Sequence, residues 1–363
     1  MGVERRRTQL PLDAIRVAVE LVLRAPVAAY QPVKGGELTL EAESVHGASV
    51  RRPLRPGKAA LPDCPARATV QPPPMDPRTR RLVDVNIDDI LAALGWHGGP
   101  MCRAIARRLA RGPAARFARE MTAFDDIAAR SGVGTAARTL LPAFVHDIRF
   151  RGIERIPLRG PVLLLSNHPG MTDTLALLAS IPREDLLVLA ADRPFLHALP
   201  AAARSLIFIP EEKEKRIVAV RRAISHLRSG GALLTFPAGE IEPDPAVHRG
   251  AVQALDRWSG SSLVFLRFVP DCTVVPLIVS GVLSRGAQRF PLTRLRRNRA
   301  DRERFAAMLQ ILVHTLLPAA GRVRVRVDVI EARAARELPA GTEGARAALT
   351  ARIAEFLRSR GRE

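Results

Sequence analysis

VLLLSNHPGMTD, residues 162–173, is a short apolar run that stops abruptly at Asn167, His168, Pro169 and Gly170. The run has the length and composition of a strand buried on both faces. Pro169-Gly170 turns the chain, and Thr172 or Asp173 can cap the helix signalled by TLALLAS. In an open α/β sheet, ligands bind at the carboxyl end of such a strand. His168 and Asp173 stand there as an H-x4-D pair. A neutral imidazole can take a proton from a hydroxyl, and a carboxylate on its other nitrogen fixes the tautomer and stabilises the resulting cation. That is the base and orienter of a catalytic triad without a protein nucleophile, so the activated alcohol would be the substrate's own. Ser166 shares the face of His168 on a strand and stays open as a nucleophile, although no G-x-S-x-G elbow surrounds it.

Outward from this stretch, short apolar runs alternate with helical patterns. Strands are expected at 147–151, 162–166, 186–190, 206–209, 232–236, 274–279 and 323–329, and helices at 173–180, 212–227, 302–317 and 342–358. Gly230-Gly231 marks the stop before the fifth strand. The alternation predicts an α/β domain over 145–363, its mostly parallel sheet flanked by helices.

A helical segment over 76–144 precedes it. In VNIDDILAALGW, Asn86 or Asp88 is the expected cap, with Ile87, Ile90, Leu91 and Leu94 on one face. In MCRAIARRLARGPAARFAREM, Gly112-Pro113 reads as one helix ending and another beginning. Met101, Ile105 and Leu109 fall on one stripe there, and Arg103, Arg107 and Arg111 on another. Six arginines and no acid lie between residues 103 and 119, which fits either an anionic membrane surface or a solvated helix face. Residues 1–75 contain one possible amphipathic helix, PLDAIRVAVELVL, but are otherwise rich in Pro, Gly and charge without periodicity. They read as disordered, or as an extension preceding a true start at Met75.

Composition narrows the function classes. The 363 residues carry a formal charge of +20, which favours a polyanionic partner. Almost all of the basic residues are arginine, with Lys34, Lys58, Lys213 and Lys215 the lysines, so composition bias explains part of the total. Aromatic content of 4% leaves few platforms for stacking bases, and no nucleic-acid partner is expected. Cys64, Cys102 and Cys272 are too widely spaced for a disulfide framework or zinc site. No run reaches the roughly 18 apolar residues of a membrane span, and Asp13, Arg16, Glu20 and Arg24 interrupt any signal-peptide centre. The expected location is cytoplasmic and peripheral on the inner face of the membrane.

With the neighbouring text added, the pattern resembles the glycerolipid acyltransferase family, lysophosphatidate acyltransferase-like and of H-x4-D type. DIRFRGIERIPLRGPVLLLSNHPGMTD is similar to the family's strand, turn and N-H-x4-D entry. FPAGE at 236–240 resembles its F-P-E-G block, VHRGA at 247–251 its basic-Gly segment, and VVPLIVSG at 274–281 its closing apolar strand. The resemblance covers roughly residues 145 to 285 and implies acyl transfer from a thioester of coenzyme A or acyl carrier protein to a lipid hydroxyl, with no metal or other cofactor. It makes His168 the general base and Asp173 its orienter, and places Asn167, Gly170, Arg193, Pro237, Gly239, Glu240 and Arg249 at the substrates. Backbone amides near Gly170 or Gly239 would receive the oxyanion, and Arg193 or Arg249 would hold a phosphate or act as ordinary surface arginines. The glutamate and arginine that the third motif usually carries are replaced by Ala238 and Ile241, and Glu240 is displaced from the glutamate's position. Trp258 is expected to pack beneath the fourth motif, His197 and His226 to be ordinary histidines, and the arginines of TRLRRNRADRER to meet headgroups or solvent. Two rivals remain: a non-catalytic lipid-binding protein with the same fold, and a nucleic-acid binder motivated by charge alone.

Overall fold

In the computed structural model, residues 75–93, 100–248, 250–294, 299–316 and 321–360 are described. The expected helix in 1–75, Leu94 and Arg249 lie outside them. Helices α1 (Pro77–Ala93) and α2 (Pro100–Phe144) form a hairpin and lead into β1 (Val145–Arg151). Then follow β2 (Val162–Ser166), α3 (Thr172–Ser180), β3 (Leu186–Ala191), β4 (Leu206–Ile209), α4 (Lys213–Arg228) and β5 (Ala232–Thr235). The chain closes with β6 (Thr273–Ser280), α5 (Arg299–Leu316), β7 (Val323–Val329), the two-residue β8 (Arg333–Ala334) and α6 (Thr342–Arg360).

The sheet order is β1-β7-β6-β2-β5-β3-β4, with β8 on β6. All neighbours are parallel except β6 with β7 and β8. β2 occupies the centre, paired on both sides and buried throughout. Its period of two sends Val162 and Leu164 into one core and Leu163 and Leu165 into the other. The first core also takes Leu82, Val83, Phe117 and Met121, so the helical hairpin and the sheet share a single apolar interior. At the amino end of the parallel strands, Arg183 bonds Asp185 and the carbonyls of Pro157, Gly160 and Gly230, tying three loops together.

Two local expectations are corrected. α1 starts at Pro77, nine residues before Asn86: Asp76 accepts from Thr79 N–H at 2.9 Å, and Asn86 is buried mid-helix. α2 runs through Gly112-Pro113 and departs from helical geometry at Gly132, where φ is +79°. Pro113 forfeits one helical bond, but Ala114, Phe117, Ala118 and Met121 bury just beyond it, and that packing keeps the turns in register. Gly132 has the left-handed φ that only glycine adopts cheaply. On the amphipathic stripe before Gly112-Pro113, Ile105 and Leu109 face solvent, at 55% and 74% exposure. Arg107 turns back to pair with Asp88 at 2.5 Å, while Arg103 lies outside the described side chains.

Glu120 is buried on α2 with neither carboxylate oxygen hydrogen-bonded, and burial pushes it up to about 9 against the pull of Arg116 and Arg119. The folded chain holds it protonated at neutral pH, whereas the unfolded chain ionises it above 4.5. Folding therefore takes up a proton in this window, and the group's contribution to stability is intact below pH 4.5 and drains away as pH rises to about 9. Glu120→Gln should exceed the parent in stability by about 3 kcal/mol at pH 7. Urea titrations should show the advantage widening toward pH 9 and shrinking near pH 4; a pH-independent difference would contradict this account.

Candidate active site

β2 ends at Ser166, but the chain beyond it is still buried, so its peptide groups need partners other than water. Asn167 supplies one set. Its carboxamide donates to Val279 C=O at 2.9 Å and accepts from Val279 N–H at 2.8 Å, mimicking a further rung between β2 and β6. His168 comes next, its N–H on Glu242 Oε2 at 3.0 Å and its C=O receiving Glu242 N–H at 2.8 Å. Gly170 N–H donates to Asp173 Oδ2 at 3.0 Å.

Asp173 sits in the first turn of α3 with no solvent exposure. Rather than capping the helix, it gathers donors from the turn behind it. Oδ2 meets His168 Nδ1 at 2.9 Å, and Oδ1 accepts from both the hydroxyl and the N–H of Thr174. An ionised carboxylate only accepts, so Nδ1 carries the proton and Nε2 keeps its lone pair for a substrate. Burial pulls the His168 imidazole down, but the charge and hydrogen bond of Asp173 and the charge of Glu242 outweigh it, leaving the net shift upward. The ring leans on Phe236, centroid to centroid at 4.6 Å.

His168, Phe236, Pro237 and Gly239 border a cavity of about 340 Å³ at the carboxyl ends of β3, β4 and β5. Its walls are mostly apolar, and Met121 and Phe124 of α2 form part of them. Three charged side chains also reach it: Asp89 from α1, Arg193 after β3, and Arg216 from α4. Burial raises Asp89 to about 6, opposed by the charge of Arg193. Arg216 donates to the carbonyls of Pro210 and Glu211.

Of the residues singled out in the sequence, His168, Arg193, Pro237 and Gly239 line this cavity. Asn167, Gly170 and Asp173 stand behind it, holding the turn. The N–H of Gly170 is committed to Asp173 and that of Gly239 to Phe236 C=O, so neither of these two donors is open to an oxyanion here. Glu240 is buried and accepts from Arg257, and Ile241 is buried as well. Ser166 is fully buried, its hydroxyl donating to Asn167 C=O, which removes it as a nucleophile.

Sequence reasoning missed Glu242 and Asp244. Glu242 accepts from Trp258 Nε1–H at 2.9 Å as well as from His168 N–H. Asp244 accepts from Ala246, Gly281 and Leu283 N–H at 2.8 to 2.9 Å, fastening this loop to the end of β6. The signal was present in GEIEPD, residues 239–244: three alternating acids directly after an apolar strand and its turn.

Residues 147–280 match the model of the family described as Acyltransferase. Among solved structures the chain is similar to that of the 1-acyl-sn-glycerophosphate (LPA) acyltransferase, PlsC, from Thermotoga maritima. The two share 12% sequence identity at a TM-score of 0.38, over 79% of this chain and 94% of that one. No curated protein sequence matches the chain.

Because Asn167 holds both backbone groups of Val279 away from water, Asn167→Ala leaves two buried polar groups without partners. The expected loss is about 2–4 kcal/mol. Chemical denaturation monitored by circular dichroism checks it, and a loss below about 0.5 kcal/mol would mean that the rung contributes little to the fold.

Proposed function

We propose, from the match of residues 147–280 to the Acyltransferase family model, that the chain moves a fatty acyl group from an acyl thioester to a hydroxyl of a glycerolipid or related lipid acceptor. The observation that supports this best is the partly exposed His168 held by the buried Asp173 at the edge of an apolar cavity. His168 Nε2 takes the proton of the acceptor hydroxyl as its oxygen adds to the thioester carbonyl. The C–O bond forms and the carbonyl oxygen becomes an oxyanion. The intermediate then collapses, the C–S bond breaks, and the departing thiolate takes the proton from Nε2. Asp173 keeps Nε2 free of its own proton at the start and stabilises the imidazolium between the two steps. The scheme calls for no metal or other cofactor, the thioester being a co-substrate.

The apolar walls suit an acyl chain, whose burial contributes about 0.8 kcal/mol per CH₂. Membrane docking belongs to the same reading. Ile105 and Leu109 stand exposed on α2 beside the exposed Arg108 and Arg111, an apolar and cationic surface suited to the inner, anionic face of a membrane. Among the described residues no helix is long and apolar enough to cross a membrane.

Thiol release from palmitoyl-coenzyme A tests the chemistry, with lysophosphatidate, a neutral monoacylglycerol, an amino-acid lyso-lipid or no acceptor present. Acceptor-dependent release is expected to fall by roughly 10²–10⁴ in His168→Ala. No release with any acceptor, and none with acyl carrier protein as donor, would favour the non-catalytic lipid-binding protein. Docking is tested separately by sedimentation with phosphatidylglycerol vesicles. At about 1 kcal/mol per surface arginine, Arg108→Glu with Arg111→Glu should weaken binding by roughly 30-fold or more, and Ile105→Ser with Leu109→Ser should weaken it without altering the salt dependence. Binding unchanged in both pairs would remove α2 as the docking surface.

A further inference from the structure

We propose that Glu242 is a second carboxylate of the His168 site, a positioning residue that grips the histidine's peptide from both sides and ties the basicity of the imidazole to its own charge. This deepens the reading of His168 as general base and rests on it. The geometry is unusual for a residue outside the H-x4-D turn. One side chain and its own backbone meet both polar groups of His168: Oε2 takes the N–H, and Glu242 N–H reaches the C=O. Oε1 is fixed in turn by the indole N–H of Trp258, which is 3% exposed. A carboxylate suits this position because two donors converge on it, one per oxygen, and the amide of a glutamine offers only one acceptor.

Glu242 is itself 1% exposed, and a charge buried that deeply is costly unless partnered. Burial raises it to about 7, opposed by the bonds from Trp258 and His168 and by the charges of His168 and Arg257. The charged and titratable groups facing the pair are Asp173 from α3, Glu242 itself from the loop after β5, and Arg257, which also pairs with Glu240. When His168 takes a proton, the new cation forms within the field of Asp173 and Glu242 together. Ionised Glu242 favours that cation and so raises the imidazole's affinity for the proton; protonated Glu242 does not. Removing the charge therefore lowers the pKa of His168 and leaves a weaker base.

The test reads the imidazole directly and does not depend on turnover. In protein labelled with ¹³C,¹⁵N-histidine, the His168 resonance is assigned by its disappearance in His168→Ala, and its titration is followed in the parent, Glu242→Gln and Glu242→Asp. The expected result is a downward shift of about one pH unit in Glu242→Gln, with Glu242→Asp restoring part of it. A midpoint unchanged within about 0.2 unit in a folded Glu242→Gln would overturn the proposal. Should that variant not fold, Trp96→Phe leaves Trp258 as the sole indole. Its emission should then step near pH 7 together with a second inflection in the His168 titration, and the absence of that step would equally overturn it. If acyl transfer is detected, kcat should fall about tenfold in Glu242→Gln with KM within twofold. If none is detected in the parent, the proposed activity fails while the imidazole shift still decides the role of Glu242.

Discussion

A chain that leaves the middle of a buried sheet carries peptide groups into a region with no water, and each must find a partner. β2 meets this demand with side chains. The carboxamide of Asn167 continues the ladder onto Val279, Glu242 satisfies both peptide groups of His168, and Asp173 receives the N–H of Gly170. Pro169 has no N–H to satisfy. The bonds that let the strand stop are thus the bonds that aim the imidazole, and stability and geometry at His168 cannot be changed separately. Asp244 extends the same device by holding Gly281 and Leu283 at the end of β6, so the neighbouring strand leaves the sheet in a fixed direction.

The cavity exists because the helical hairpin and the sheet are fastened together rather than merely stacked. Asp125 of α2 accepts from Ala201 and Ala202 N–H through Oδ1 and from Arg78 through Oδ2. One buried carboxylate therefore links α1, α2 and the second of the two one-turn helices between β3 and β4, Pro200–Ala203. With that link in place, Met121 and Phe124 face Leu189, Leu206 and Phe236 across the cavity. Ile105 and Leu109 lie before Ala114, the first described residue of α2 to be buried, and remain exposed.

The sheet was legible in the sequence because buried parallel strands are written as short apolar runs between turn residues. Every expected strand is present, with ends shifted by two residues or fewer. The pair at His168 and Asp173 was legible for a similar reason: both lie within one turn, so their spacing in the chain fixes their distance in space. Glu242 lies 74 residues from His168, and its partnership is set by how two loops meet at the ends of β2 and β5. No local pattern encodes that meeting, although three alternating acids after an apolar strand marked the loop as unusual. The error at Gly112-Pro113 has the opposite origin, since local propensity was clear there and tertiary burial overrode it.

The altered third motif has a physical consequence for the acceptor. Where the resemblance leads one to expect an arginine, Ile241 is packed into the core, and the guanidinium of Arg257 is paired with the adjacent Glu240. Neither can offer an uncompensated cation to a substrate phosphate. Positive charge at the cavity comes instead from Arg193 and Arg216, approached by the single carboxylate of Asp89. Arg216 spends its bonds on backbone carbonyls, which leave its charge intact, and Asp89 is half-neutralised near pH 6. The cationic end of the cavity therefore lies on the β3–β4 side, away from the third motif. An anionic group bound there would meet Arg193, which the resemblance already places at the substrates, together with Arg216, which it does not, and its distance from His168 Nε2 would select which hydroxyl of the acceptor can be reached.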